Sequence, residues 1–292
     1  MGMKFGVCIP NYGETCDVES IREVAKAAEE LNYDSIWATD HVLMPKNSNT
    51  PYERVFECVT TLAFVCSFTQ RVKIGISSLV FAMRNPVLTA KQLATIDVLS
   101  GGRLILATGA GWNQKEFEHL GADFKKRGRI LDENLALLRA LWNSQPFEGS
   151  RFSLKDYSFE PKPVQAHLPI WIAGNSVSAM KRAVKLGDAW HPNAYPLEVF
   201  ESLISKFKAL GSTKPICVRI AYDLNAKQTV YTSAQGERRV LLCSDFDKNR
   251  EVIQRLQQMG VSQLVIAPNP TGRTPLKTQL ESLRLFSKHL IE

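Results

Sequence analysis

Leu168-Pro-Ile-Trp-Ile-Ala-Gly-Asn-Ser176 joins an apolar strand directly to the start of a helix, and the fold class is legible from this join. Pro169 to Ala173 is a short apolar run of the kind a parallel strand needs when both its faces are covered. Gly174 and Asn175 supply a tight turn, and Ser176 is a good N-cap for the helix that follows. Such a turn aims free backbone N–H groups and the positive end of a helix dipole at one point, which suits a phosphate. Taken alone the commoner reading is an ordinary turn that binds nothing, so the rest of the chain decides.

Outward from that join the same alternation runs in both directions. Strands are predicted over residues 4–10, 35–42, 72–80, 103–109, 169–173, 189–192, 216–222 and 263–267. Helices are predicted over 17–32, 53–68, 86–99, 128–143, 176–186, 197–210, 248–259 and 276–290, the first opened by Asp17 and the third closed by Ser100-Gly-Gly102. Residues 145–164 break the rhythm with a small hairpin, and 225–244 read as an inserted loop or hairpin. Eight strand–helix units close more naturally into a (β/α)8 barrel than they extend as an open sheet. We expect one barrel domain over residues 1–292.

Composition narrows the partners. No apolar run reaches the roughly 18 residues of a membrane span, and Met1-Gly-Met-Lys-Phe5 leads into a strand without a signal-peptide core, so a cytoplasmic location is expected. Six cysteines without a Cys-x-x-Cys pair read as buried thiols of a reducing compartment, and no cluster of metal ligands stands out. The formal charge of +7 is scattered along amphipathic helices without a basic tail, which argues against nucleic acid. A mild positive field better suits an anionic coenzyme or small molecule.

A barrel of this type carries its chemistry at the C-terminal ends of its strands. Those ends are Asn11-Tyr12, Asp40-His41, the Ser77-Ser78 pair inside an apolar strand, Gly109-Ala-Gly-Trp-Asn113, Gly174-Asn-Ser176 and His191. Gly109 and Gly111 would let something large and flat approach the backbone, although a plain turn would use them too. Asp40 and His41 are weak evidence as a bare pair, since a histidine at a strand end is more often core or surface. There is no Ser-His-Asp elbow, P-loop or dinucleotide fingerprint; Gly109-Ala-Gly-Trp lacks the third glycine.

At these residues the chain resembles the bacterial luciferase-like superfamily of flavin monooxygenases and deazaflavin-dependent oxidoreductases, along nearly its whole length. The resemblance is carried by Lys4-Phe-Gly6, by Glu29 to His41, by Asn85-Pro-Val-Leu-Thr-Ala-Lys91 and by Leu99-Ser-Gly-Gly-Arg103. It continues through Gly109-Ala-Gly-Trp-Asn-Gln-Lys-Glu-Phe117, Pro161-Lys-Pro-Val-Gln165 and Pro169-Ile-Trp-Ile-Ala-Gly174. It implies a barrel that binds reduced FMN or the deazaflavin coenzyme F-420 at its mouth, commonly as a homodimer. It also implies a bulge at Ser77-Ser78, often with a non-proline cis peptide, behind the coenzyme ring. His41 would give or take a proton, with Asp40 beside it. Gly109, Gly111, Trp112 and Asn113 would line the coenzyme, and Gly174, Asn175 and Ser176 would hold its phosphate. Asn11, Tyr12, Glu116 and His191 fall to the pocket of a small organic substrate. The expected reaction is hydride exchange with a deazaflavin; an FMN-dependent monooxygenase and a non-catalytic flavin-binding barrel are the alternatives. Residues 225–244 stand where many relatives carry a long insertion over the substrate, so the substrate stays open.

Overall fold

In the computed structural model, which describes residues 2–46, 48 and 50–291, eight strands run parallel and close on themselves. The first half holds β1 (Lys4–Cys8), β2 (Ser35–Ala38), β3 (Lys73–Val80) and β4 (Leu104–Gly109). A two-stranded hairpin follows, β5 (Phe147–Glu148) with β6 (Ser153–Leu154), and then β7 (Ile170–Ala173), β8 (Ala189–His191) and β9 (Ile216–Tyr222). A second hairpin, β10 (Val230–Thr232) with β11 (Arg238–Leu242), precedes β12 (Val261–Ala267). Pairing runs from β1 through β2, β3, β4, β7, β8 and β9 to β12 and back to β1, with Trp190 beside Ile216 completing the ring. This is the (β/α)8 barrel that the alternation predicts.

The helices around it are α1 (Val18–Glu30), α2 (Cys58–Cys66), α3 (Pro86–Leu99), α4 (Gln114–His119) and α5 (Arg127–Trp142). After them come α6 (Val177–Leu186), α7 (Leu197–Ala209), α8 (Phe246–Gln258) and α9 (Leu276–Phe286). Asp17 and Ser176 cap as their spacing predicts, accepting from the backbone N–H of Ser20 at 2.8 Å and of Ala179 at 3.2 Å. Four expectations shift. The second helix starts at Cys58 rather than at residue 53, because Glu57 caps it through Thr60 N–H at 2.7 Å while Val55 bridges to Tyr12. The second strand stops at Ala38, so Asp40 and His41 lie beyond the ladder. The loop after β4 contains α4. The terminal helix loosens into a π turn over Ser287–Ile291. No helix among the described residues is long and apolar enough to cross a membrane.

Two packed layers hold the barrel. Outside the strands, Val, Ile and Leu meet the inner stripes of the helices in one continuous apolar cluster. Inside, the bore is filled by Trp37 and Trp171, whose rings lie 4.9 Å apart, with Cys8, Ala107 and Cys217 around them. Gly6 on β1 and Gly75 on β3 leave space for Trp37; a methyl group on either would collide with its ring. The Ser100-Gly-Gly-Arg103 block sits at the opposite end of the barrel from the mouth. There the Arg103 guanidinium donates to Thr69 O, Val72 O and Ser100 O, tying the α2 and α3 exits to the start of β4.

Candidate active site

A cavity of about 930 Å³ opens at the C-terminal ends of the strands. Its floor is the plug of the bore: His191 lies on Trp37, 5.7 Å away and only 19° from parallel, and 5.6 Å from Trp171. His191 is 3% exposed. Its Nδ1 faces the Cys217 carbonyl at 2.5 Å and therefore carries the proton; its Nε2 accepts from the Ser77 hydroxyl at 2.8 Å. Burial, reinforced by the Arg219 cation, pulls the His191 pKa down to about 4, against the hydrogen bond to Cys217. The imidazole is neutral at pH 7 and its tautomer is fixed.

That depressed value has a consequence for stability. Between pH 6.5 and 4 the unfolded chain binds a proton at His191 that the folded chain excludes, so stability is lost as the pH falls through this window. The expected loss from His191 is about 3 kcal/mol. Urea unfolding at pH 7 and pH 4 checks it: the acid loss in His191→Gln should be smaller than in the parent by about that amount. Equal losses would remove His191 from the account.

One wall carries His41, 5% exposed, just beyond β2. Its ring stacks on Tyr52 at 4.5 Å and meets the edge of Trp112 at 5.7 Å. Nδ1 donates to Glu116 Oε2 at 3.0 Å, which leaves Nε2 without a partner among the described residues and turned to the cavity. Glu116 Oε1 accepts from the backbone N–H groups of Val42 at 2.7 Å and Leu43 at 3.3 Å. Burial would raise the Glu116 pKa, but these hydrogen bonds and the His41 ring outweigh it and hold the carboxyl below its ordinary value. A carboxylate therefore orients the imidazole and fixes the proton on its Nδ1.

Asp40 and His41 are neighbours that face opposite ways. The Asp40 carboxylate, fully buried at the border of the cavity, is occupied by Arg84 at 2.6 Å and by Val80 N–H at 2.8 Å. Glu57 takes the other side of the same guanidinium at 3.0 Å, so the positive charge among Asp40, Glu57 and Cys58 is supplied by Arg84. Burial raises the Cys58 thiol well above its usual value, and it stays a thiol.

The β3 ladder is irregular between Ile76 and Leu79, and the Ser77-Ser78 peptide is cis, as the resemblance implies. Both serines line the cavity opposite the strand end at Gly109. Gly111 has φ +83°, and a methyl there would press on Val80 and Phe117, at 2.6 and 2.7 Å, so its glycine belongs to the turn. At the far end, Gly174 (φ +122°), Asn175 and Ser176 lead into α6. The backbone N–H groups of Asn175, Ser176, Val177 and Ser178 bond to no described residue. The Asn175 side chain is engaged with the Asn193 backbone at 2.8 and 3.0 Å. Lys125, Arg127 and Arg182 border the same end.

The fold thus brings Tyr12, Asp40, His41, Ser77, Ser78, Gly109, Gly111, Trp112, Gly174, Asn175, Ser176 and His191 to one cavity. Asn11, Asn113 and Glu116 are not on its wall. Asn11 pins β1 to β2, giving two hydrogen bonds to the carbonyls of Thr39 and Phe56 and receiving one from Thr39 N–H at 2.9 Å. Asn113 opens α4 and reaches Met44 Sδ at 3.3 Å. Glu116 acts on the cavity only through His41. The strand-end filter missed Arg219, the one charged side chain in the apolar run Ile216-Cys-Val-Arg-Ile-Ala-Tyr222 of β9, and that charge was the signal to find it. It also missed Tyr52 and the cavity-facing residues of the β10–β11 hairpin.

A closed parallel barrel with a blind polar mouth, one carboxylate-oriented imidazole and an amide-rich helix start defines an enzyme of the TIM-barrel class. The chain belongs to the luciferase-like monooxygenase family, whose model matches residues 3–216. It is 26% identical to an uncharacterized protein of Mycobacterium tuberculosis, over 92% of this chain and 93% of that one. It is 34% identical to an F420-dependent glucose-6-phosphate dehydrogenase of Amycolatopsis mediterranei over 58% of this chain and 51% of the relative. It is 26% identical to an FMNH(2)-dependent dimethylsulfone monooxygenase of Pseudomonas putida, over 76% and 64% of the two. In structure it superposes on an F420-dependent secondary alcohol dehydrogenase with a TM-score of 0.79 at 19% identity, covering 100% and 99% of the two chains.

Proposed function

We propose that the chain is an oxidoreductase that exchanges hydride between a deazaflavin coenzyme and a small organic substrate, with His41 moving the proton. The observation that carries this reading is the Glu116–His41 pair, aimed by its free Nε2 at a cavity whose other wall is the Ser77-Ser78 bulge. An FMN-dependent monooxygenase is the second reading, supported by the similarity to the Pseudomonas putida enzyme along 76% of the chain.

The residues fit a phosphate-bearing flavin or deazaflavin. The four unpartnered N–H groups at the start of α6 form an anion cradle beside Lys125 and Arg127, while the floor and walls leave a slot between Ser77-Ser78 and His41. Asn175, Ser176 and the α6 amides would hold the phosphate; Gly109, Ser77 and Ser78 would back the ring. The bound coenzyme supplies the hydride, and the protein supplies position and protons. Glu116 keeps the His41 Nδ1 proton in place, so Nε2 is the atom that accepts or returns a proton at the substrate. The Trp37–Trp171 plug excludes water from below.

The Ser176 hydroxyl accepts from Ala179 N–H, and its own proton remains free for a phosphate oxygen. Ser176→Ala is expected to weaken FMN or deazaflavin binding by about 1–2 kcal/mol, and Ser176→Glu by considerably more through charge repulsion. Fluorescence titration reads both, with riboflavin, which lacks the phosphate, as a control whose weak binding should not change. If Ser176→Glu binds FMN as the parent does, the phosphate site is elsewhere. Saturable binding of neither coenzyme to the parent chain would sink the reading as a whole. Oxygen uptake with reduced FMN, compared with anaerobic turnover of the deazaflavin, separates the two reactions.

A further inference from the structure

We propose that Arg219 is the anchor for an anionic substrate, a small organic molecule whose carboxylate or sulfonate is gripped by the guanidinium at the floor of the cavity. The proposal rests on the reading of this cavity as a coenzyme-dependent active site and adds the class of molecule it takes.

Arg219 projects from β9 across the bore. Its terminal nitrogens donate to Ser77 O at 2.5 Å and Thr39 Oγ1 at 3.2 Å, both uncharged acceptors on the far side of the barrel. Two of its N–H groups are thereby engaged, and Nε donates to no described residue. The other arginines of the cavity wall with a carboxylate in reach are neutralised: Arg182 by Asp132, and Arg239 by Glu237 at 2.6 Å. Arg219 forms no ion pair with any described residue. A guanidinium enclosed by protein without a counter-charge is costly, and the cost is recovered when an anion arrives. Its planar fork matches a carboxylate or sulfonate with two parallel hydrogen bonds.

Its place argues against a phosphate of the coenzyme. The α6 amides with Lys125 and Arg127 serve an anion at the β7 end, whereas Arg219 reaches to β3 and to Thr39 just past β2. Thr39, its partner just past the end of β2, lies two residues before His41, and Tyr52 stacks on the His41 ring. An anion seated on Arg219 would thus present the rest of its molecule toward the His41 side of the slot.

The test uses the full chain and three probes of one shape: benzoate, benzenesulfonate and neutral benzamide. Binding is followed by tryptophan fluorescence, with and without saturating FMN. Benzoate or benzenesulfonate is expected to bind the parent about 10-fold to 100-fold more tightly than benzamide. Arg219→Met should abolish that preference and Arg219→Lys should keep part of it, with FMN affinity changed by less than about threefold in both. Equal binding of the three probes by the parent overturns the proposal, and so does a preference that survives in Arg219→Met. Mutual displacement of the anionic probe and FMN, or a tenfold weaker FMN affinity in Arg219→Met, would give the cation to the coenzyme and overturn it as well. If neither FMN nor the deazaflavin binds but the anion preference depends on Arg219, the coenzyme reading fails while this assignment stands.

Discussion

Replacing His41 by alanine is expected to lower turnover about 10²-fold or more and to leave coenzyme affinity nearly intact. The reason lies in how completely the ring is committed. Glu116 takes Nδ1 at 3.0 Å, Tyr52 covers one face, Trp112 closes an edge, and only Nε2 is left for a reacting molecule. Absorbance of the deazaflavin during turnover with a panel of small alcohols and carbonyl compounds gives the rate; fluorescence titration gives the affinity. Glu116→Gln should fall between the parent and His41→Ala, because an amide oxygen still meets Nδ1 but is a weaker acceptor than a carboxylate and holds the ring less firmly. Turnover unchanged in His41→Ala would make the ring a wall of the pocket and nothing more.

The adjacent residue should behave in the opposite manner. Asp40→Ala is expected to destabilise the fold by about 3–5 kcal/mol, because it strands the Arg84 guanidinium and leaves the Val80 N–H without its acceptor. Urea unfolding at pH 7 measures it. The double variant Asp40→Ala with Arg84→Met should recover part of the loss, since much of the cost is the unpaired buried charge. A loss under about 1 kcal/mol would show that Glu57, 3.0 Å from Arg84, suffices alone. With the expected loss, two consecutive residues separate cleanly, one read out in rate and the other in stability.

What the sequence reveals and what it conceals follow from how each feature is encoded. The 168–176 join is written in local chemistry: an apolar run, a glycine with φ +122° and a serine cap, each readable without knowing the rest of the chain. The eight strands are legible for the same reason, because burial on both faces demands continuous apolar runs. Direction of a side chain beyond a strand end is not encoded this way. Asp40 and Asn11 sit at strand ends alike, yet a partner 28 positions away takes Asn11 off the cavity wall, and one 44 positions away occupies the Asp40 carboxylate where it borders the cavity. Glu116 belongs to a six-residue helix too short for periodicity to announce, and its role emerges only when α4 meets the loop that follows β2. Arg219 was visible as an oddity in an apolar strand, but its lack of a counter-charge is a property of the closed barrel alone.

The tryptophan plug, finally, governs traffic. Trp37 is fully sealed and Trp171 nearly so, with His191 laid over them, so the bore offers no rear exit. Every molecule that reaches Arg219 or His41 enters and departs through the one mouth. Residence is then a queue: whatever lodges deepest must arrive first and leave last, and a ligand in the slot above locks in the one below. Product-inhibition patterns of an ordered mechanism, rather than random addition, are the expected kinetic signature of such a dead-end vestibule.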